Sequence, residues 1–106
     1  MAGSIHPLVA NRLRDVEALC RKFLVRRLDL FGSATSDRFD PLRSDLDFLI
    51  EYLPEAKVHY FDAYFGLKEG LEGIFGRHVD LVMTSAIRSP HFRAEAEETR
   101  VQLYAA

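Results

Sequence analysis

Val9, Leu13, Val16, Cys20 and Phe23 recur at spacings of three and four between Pro7 and about Val25, which lines them up on one stripe of an amphipathic helix. Pro7 suits its first turn, and Arg21 and Lys22 fall in the last, against the negative end of the helix dipole. From Arg27 to Phe31 the pattern changes to a short apolar run, a strand that delivers the chain into Gly32-Ser33. Ser36, Asp37, Asp40 and Pro41 make Ala34 to Ser44 a turn-rich loop. Asp45 and Asp47 then open a second apolar strand that runs through Ile50. After a break at Pro54, residues 57–75 return to helical spacing, with Tyr60, Tyr64, Leu67, Leu71 and Ile74 on one stripe widened by Phe61, Phe65 and Phe75. Gly66, Gly70 and Gly73 within it predict a kink or close packing against a neighbour, and Gly76 predicts its end. His78 to Met83 reads as a third strand, and Ser89-Pro90 opens a final helix from His91 to about Tyr104. The expected order is helix, strand, strand, helix, strand, helix.

That frame places acids where folding alone has little use for them. Successive side chains of a strand alternate faces, so Asp45 and Asp47 project on one side and Leu46, Phe48 and Ile50 on the other. In the third strand Val79, Leu81 and Met83 share one face, and His78, Asp80 and Val82 the other. If the two strands are neighbours, three carboxylates converge, and their mutual repulsion is severe unless a cation sits among them. Hard divalent cations such as magnesium take oxygen ligands, commonly one or two carboxylates together with nucleotide phosphates. Alone, Gly32-Ser33 is an ordinary turn and Asp80 an ordinary strand-end residue. Together with the paired aspartates, the turn becomes a candidate phosphate seat, its glycine permitting a close backbone approach. Arg38 and Arg43 are loop cations with either a solvated or a phosphate-facing role, whereas Asp37 and Asp40 read as turn residues. His78 reads as a packed or hydrogen-bonded neighbour, and Glu95, Glu97 and Glu98 as a solvated face.

Composition narrows the classes. The 106 residues fit one domain spanning 1–106, with 48% hydrophobic and 28% charged residues as in an ordinary globular protein. A net charge of -2 gives no long-range attraction for a polynucleotide, so nucleic acid is not expected as the main partner. The lone Cys20 excludes an internal disulfide or cysteine cluster and fits a cytoplasmic location. No apolar run approaches the roughly 20 residues of a membrane span, and no targeting segment is read. His6, His59, His78 and His91 lack zinc-ligand spacing, and no serine lies in a hydrolase elbow.

Gly32-Ser33, then Ser44-Asp45-Leu46-Asp47-Phe48-Leu49-Ile50, then Val79-Asp80-Leu81-Val82 together resemble the nucleotidyltransferase superfamily that includes DNA polymerase beta. The similarity to its small stand-alone members, the minimal nucleotidyltransferases (MNT), runs from about Arg26 to Tyr104. The resemblance implies an α+β fold with a small mixed sheet and helices packed against it. It implies transfer of a nucleoside monophosphate, AMP from ATP, to a hydroxyl acceptor with release of pyrophosphate. Two Mg2+ ions would be held by Asp45, Asp47 and Asp80, with Asp80 also helping to remove the acceptor's proton. Gly32, Ser33, Arg38 and Ser44 are the implied nucleotide-binding residues. One departure stands out: family members commonly carry Arg-Gly shortly after the Gly-Ser, where this chain has Ser36-Asp37 followed by Arg38.

Small MNT proteins are similar to the antitoxin half of toxin-antitoxin modules whose toxin is a helical HEPN ribonuclease, and there the acceptor can be a tyrosine of the toxin. The expected partner is therefore a HEPN toxin that presents the acceptor. Two other readings stand beside this one: neutralisation of the partner by contact alone, and transfer to a small molecule.

Overall fold

The computed structural model describes residues 5–36 and 38–106. The first helical stretch is divided: α1 (Pro7–Ala10) ends at Asn11, and α2 (Leu13–Lys22) begins after Arg12, whose backbone leaves helical geometry at φ −120°, ψ 17°. The apolar stripe survives the break, because Val9, Val16 and Cys20 are all fully buried in one core. The expected helix end near Val25 is corrected as well, since α2 stops at Lys22 and Val25 is the first residue of β1 (Val25–Phe31).

A short 3-10 turn (Gly32–Thr35) follows β1, and after the loop come β2 (Leu46–Tyr52), a second 3-10 turn (Pro54–His59) and α3 (Tyr60–Phe75). Gly76 ends α3 in the left-handed region, at φ 62°. Then follow β3 (Val79–Met83), α4 (Pro90–Thr99) and β4 (Val101–Ala105). The strand β4 corrects the expected helix to Tyr104. Arg100 is extended at φ −65°, ψ 138°, and its side chain turns inward to the buried Asp29 carboxylate. Beyond it, Val101 to Ala105 pairs antiparallel with β1, Leu28 opposite Tyr104 and Leu30 opposite Val101.

The four strands lie in the order β3-β2-β1-β4, with β1 antiparallel to both β2 and β4 and β2 parallel to β3. On one face Leu28, Leu30, Leu46, Phe48, Ile50, Val79 and Leu81 meet Cys20 of α2 and Leu67, Leu71 and Phe75 of α3. This is the α+β architecture with a small mixed sheet. The α3 glycines serve close packing: a Cβ on Gly66 would stand 2.4 Å from the Phe23 ring, and one on Gly70 would stand 2.8 Å from Leu19. On the opposite face Phe31 and Leu49 pack with Ala96 and Phe92 of α4.

Two side chains of α3 cover the outer edge of β3. Glu72 accepts the Val79 amide at 3.1 Å, and the Tyr64 hydroxyl donates to the Leu81 carbonyl. Among the described residues no helix is long and apolar enough to cross a membrane.

Candidate active site

The parallel register of β2 and β3 sets Asp47 directly beside Asp80, both on the face that carries α4. Burial first, then a hydrogen bond that the protonated Asp47 carboxyl donates to Asp80, then the charge of Asp80 and that of Asp45, push the Asp47 carboxyl up to about 7. Asp45 precedes the strand and is exposed, and its oxygen, a His78 ring nitrogen and an Asp80 oxygen all lie within 4.8 Å of one another. Asp80 thus belongs to both groupings, with Asp47 on one side and Asp45 with His78 on the other. His78 places Nε2 3.0 Å from Asp80 Oδ1 and Nδ1 3.4 Å from Glu72 Oε2, so it is the bonded neighbour that alternation suggested. A carboxylate-rich donor set of this kind suits a hard divalent cation, which offsets the repulsion raising Asp47.

Gly32 stands over Asp47. Its backbone is left-handed at φ 76°, and a Cβ there would lie 2.7 Å from Asp47 Oδ2, so the glycine is required twice, by conformation and by space. Its amide donates to Thr99 Oγ1 at 3.0 Å, and its carbonyl accepts from the Thr35 hydroxyl at 2.8 Å. Beside it opens a cavity of about 830 Å³, a size that accommodates a nucleotide. Ser33, Arg38, Asp47 and Asp80 line it together with Lys68 of α3 and Thr99 of α4.

Of the residues expected from sequence, Gly32, Ser33, Arg38, Asp47 and Asp80 meet at this cavity, and Asp45 adjoins Asp80 at its exposed side. Ser44 is engaged elsewhere: its hydroxyl accepts the Asp40 amide at 3.0 Å and its carbonyl accepts Arg77 Nη1 at 3.0 Å, which closes the loop ahead of β2. Asp40 behaves as the turn residue expected, its Oδ1 accepting the Leu42 amide. Asp37 lies outside the described residues. In the segment that departs from the family pattern, the Ser36 hydroxyl donates to the Ser33 carbonyl and accepts the Arg38 amide, a local brace between the Gly-Ser turn and the cavity arginine.

Sequence reasoning missed Tyr64, Lys68, Glu95, Glu98 and Thr99, which also line the cavity. Lys68 follows Tyr64 by one helical turn, so the two share an edge of α3, but only the packing of α3 along β3 turns that edge toward the acids. Glu95 and Glu98 are exposed, the solvated face that the sequence suggests, and that face borders the cavity.

The nucleotidyltransferase domain model matches residues 15–103. The chain is 31% identical over 81 residues to the Methanocaldococcus jannaschii protein named "Putative protein adenylyltransferase MJ0128", covering 76% of this chain and 78% of that one. The solved chain described as "Structure of putative minimal nucleotidyltransferase" superposes with a TM-score of 0.65 at 29% identity, over 93% of this chain and 98% of that one. A likeness in fold alone extends to the tri-AMPylated HEPN toxin complex with MNT antitoxin from Shewanella oneidensis, with TM-score 0.59, 20% identity, and coverage of 92% of this chain and 72% of that one. A domain match spanning most of the sequence, together with acids in register on β2 and β3 beneath a Gly-Ser turn, places the chain in the nucleotidyltransferase domain family, as one of its minimal members.

Proposed function

We propose that the protein is a magnesium-dependent protein adenylyltransferase that moves AMP from ATP onto a hydroxyl of a partner, a tyrosine of a HEPN toxin, and so acts as its antitoxin. The observation that carries the proposal is the contact of Asp47 with Asp80, in which the partial burial of Asp47 and the charge of the exposed Asp80 raise Asp47 to about 7 at the wall of a nucleotide-sized cavity. Such a pair is costly in a metal-free protein and useful in a metal-bound one.

Asp45, Asp47 and Asp80 would hold the Mg2+ ions, which when bound stabilise charge on the attacking and leaving oxygens of the displacement. Ser33 and Arg38 take the outer oxygens of the triphosphate, Arg38 providing the cation nearest to the one commonly found after the Gly-Ser. Asp80 accepts the proton of the acceptor hydroxyl. As that oxygen bonds to the α-phosphorus, the bond from the α-phosphorus to its bridging oxygen breaks and pyrophosphate leaves.

A protein acceptor is favoured by the surface next to the cavity. On α3, the helix that supplies Tyr64 and Lys68 to the cavity wall, Phe61 is 74% exposed and its ring stands 4.7 Å from that of Phe65, with Val58 81% exposed just ahead of the helix. An apolar face of this kind fits a macromolecular partner better than a small polar acceptor. The HEPN partner is further supported by the fold shared with a chain of the Shewanella oneidensis complex of HEPN toxin with MNT antitoxin.

The test incubates the purified protein with α-labelled ATP, Mg2+ and the product of the adjacent reading frame. Label on a partner tyrosine, lost in Asp80→Asn, supports the proposal. A tight but unlabelled complex refutes catalysis and leaves neutralisation by contact.

A further inference from the structure

We infer that Thr99 is a positioning residue for the phosphate seat: its hydroxyl anchors the Gly32 backbone and thereby fixes how Ser33 faces a nucleoside triphosphate. The kinetic consequence rests on the nucleotidyl-transfer reading, while the anchor itself does not.

Gly32 and Thr99 are 67 residues apart and are joined by the bond from the glycine amide to Thr99 Oγ1. The same hydroxyl donates to the Glu95 carbonyl at 3.2 Å, so its proton is directed back along α4 and a lone pair toward Gly32. The Thr35 hydroxyl holds the Gly32 carbonyl. Both polar groups of this left-handed glycine are therefore gripped by threonine hydroxyls, one from within the turn and one from across the cavity.

The position of Thr99 is itself fixed by a buried charge. The next residue, Arg100, binds one oxygen of Asp29 through Nε, and Arg27 Nε binds the other at 2.9 Å, while Asp29 is wholly buried on β1. Two consecutive residues thus fasten the end of α4 to β1, the strand that runs into Gly32. Any loosening of Gly32 is felt at once by Asp47, whose Oδ2 stands 2.7 Å from where a Cβ would lie. One hydroxyl consequently controls both the turn ahead of Ser33 and the space available to a candidate metal ligand.

The test compares wild type with Thr99→Val, which keeps the branched shape but cannot accept a hydrogen bond, and Thr99→Ser, which keeps the acceptor. Gly32 amide exchange is followed by 15N NMR, and transfer is measured against ATP concentration with saturating Mg2+. In Thr99→Val we expect Gly32 exchange and the KM for ATP each to rise about fivefold to tenfold, the effect of one lost hydrogen bond, with kcat changed less. Thr99→Ser returns both to near wild type. Unchanged Gly32 exchange in the valine variant, faster exchange with unchanged KM, or equal damage in valine and serine would each overturn the inference. If the wild type transfers nothing, that result counts against the transfer reading alone, and faster Gly32 exchange in Thr99→Val still supports the anchor.

Discussion

Replacing Asp47 by asparagine tests the energetic logic of the acid pair more directly than loss of activity does. In the folded protein the Asp47 carboxyl lies at about 7 against an ordinary 3.8. Between those values the folded chain binds the proton that the unfolded chain has released, so the stability of the metal-free protein falls as pH rises from about 4 to about 7 and stays low above it. Three pH units correspond to about 4 kcal/mol at full strength. Asp47 is only half-buried, and solvent screening reduces this to about 1–2 kcal/mol. Asp47→Asn removes the repulsion and offers an amide to Asp80. In chelator at about pH 8 it should therefore be more stable than wild type by that amount, a rise of about 5–10 °C in Tm for a chain of this size. At about pH 4 the two should converge. Added Mg2+ should stabilise wild type more than the variant, which keeps Asp45, His78 and Asp80 but loses the Asp47 carboxylate, because binding to the folded state alone adds stability that grows with affinity. Thermal unfolding by circular dichroism at the two pH values, in chelator and in Mg2+, reads all of this. A variant less stable than wild type in chelator at about pH 8, or one stabilised by Mg2+ as strongly as wild type, would refute the reasoning.

Gly32→Ala must accept a left-handed backbone and displace Asp47 Oδ2, so urea denaturation should show a loss of about 1–2 kcal/mol together with weaker Mg2+ binding; wild-type values in both would contradict the geometry. Arg100→Met leaves the buried Asp29 with Arg27 alone and should cost about 3 kcal/mol, part of which returns in the double variant with Asp29→Asn; strictly additive losses in the cycle would deny the coupling. The Cys20 thiol is pushed up to about 12, chiefly by burial and next by the charge of Glu17, so iodoacetamide should label it only after unfolding, and rapid labelling of native protein would count against that burial.

The catalytic candidates were legible because alternation within a strand is a local rule. Once Asp45 to Ile50 and His78 to Met83 are strands, the faces of Asp47 and Asp80 follow, and a short linear motif carries most of the site. The two helix errors also have local causes. Asn11-Arg12 interrupts α1 and α2 without disturbing the spacing of Val9, Val16 and Cys20, so periodicity passes over the break. The chain from Thr99 to Tyr104 carries no glycine or proline to mark the end of α4, and what turns it is the pull of Asp29 on Arg100, a contact across 71 residues. Lys68 and Thr99 were hidden for the same reason: each looks ordinary on its own helix and acquires a role only where α3 or α4 meets the sheet.

The covering of β3 by Glu72 and Tyr64 makes the two borders of the sheet unequal. A foreign peptide approaching alongside Asp80 finds the Val79 amide and the Leu81 carbonyl already taken, and must break both bonds before it can zip on. Sheet-to-sheet association through that border is thereby discouraged, and Asp80 is shielded from being dragged out of line with Asp47 by an adventitious neighbour.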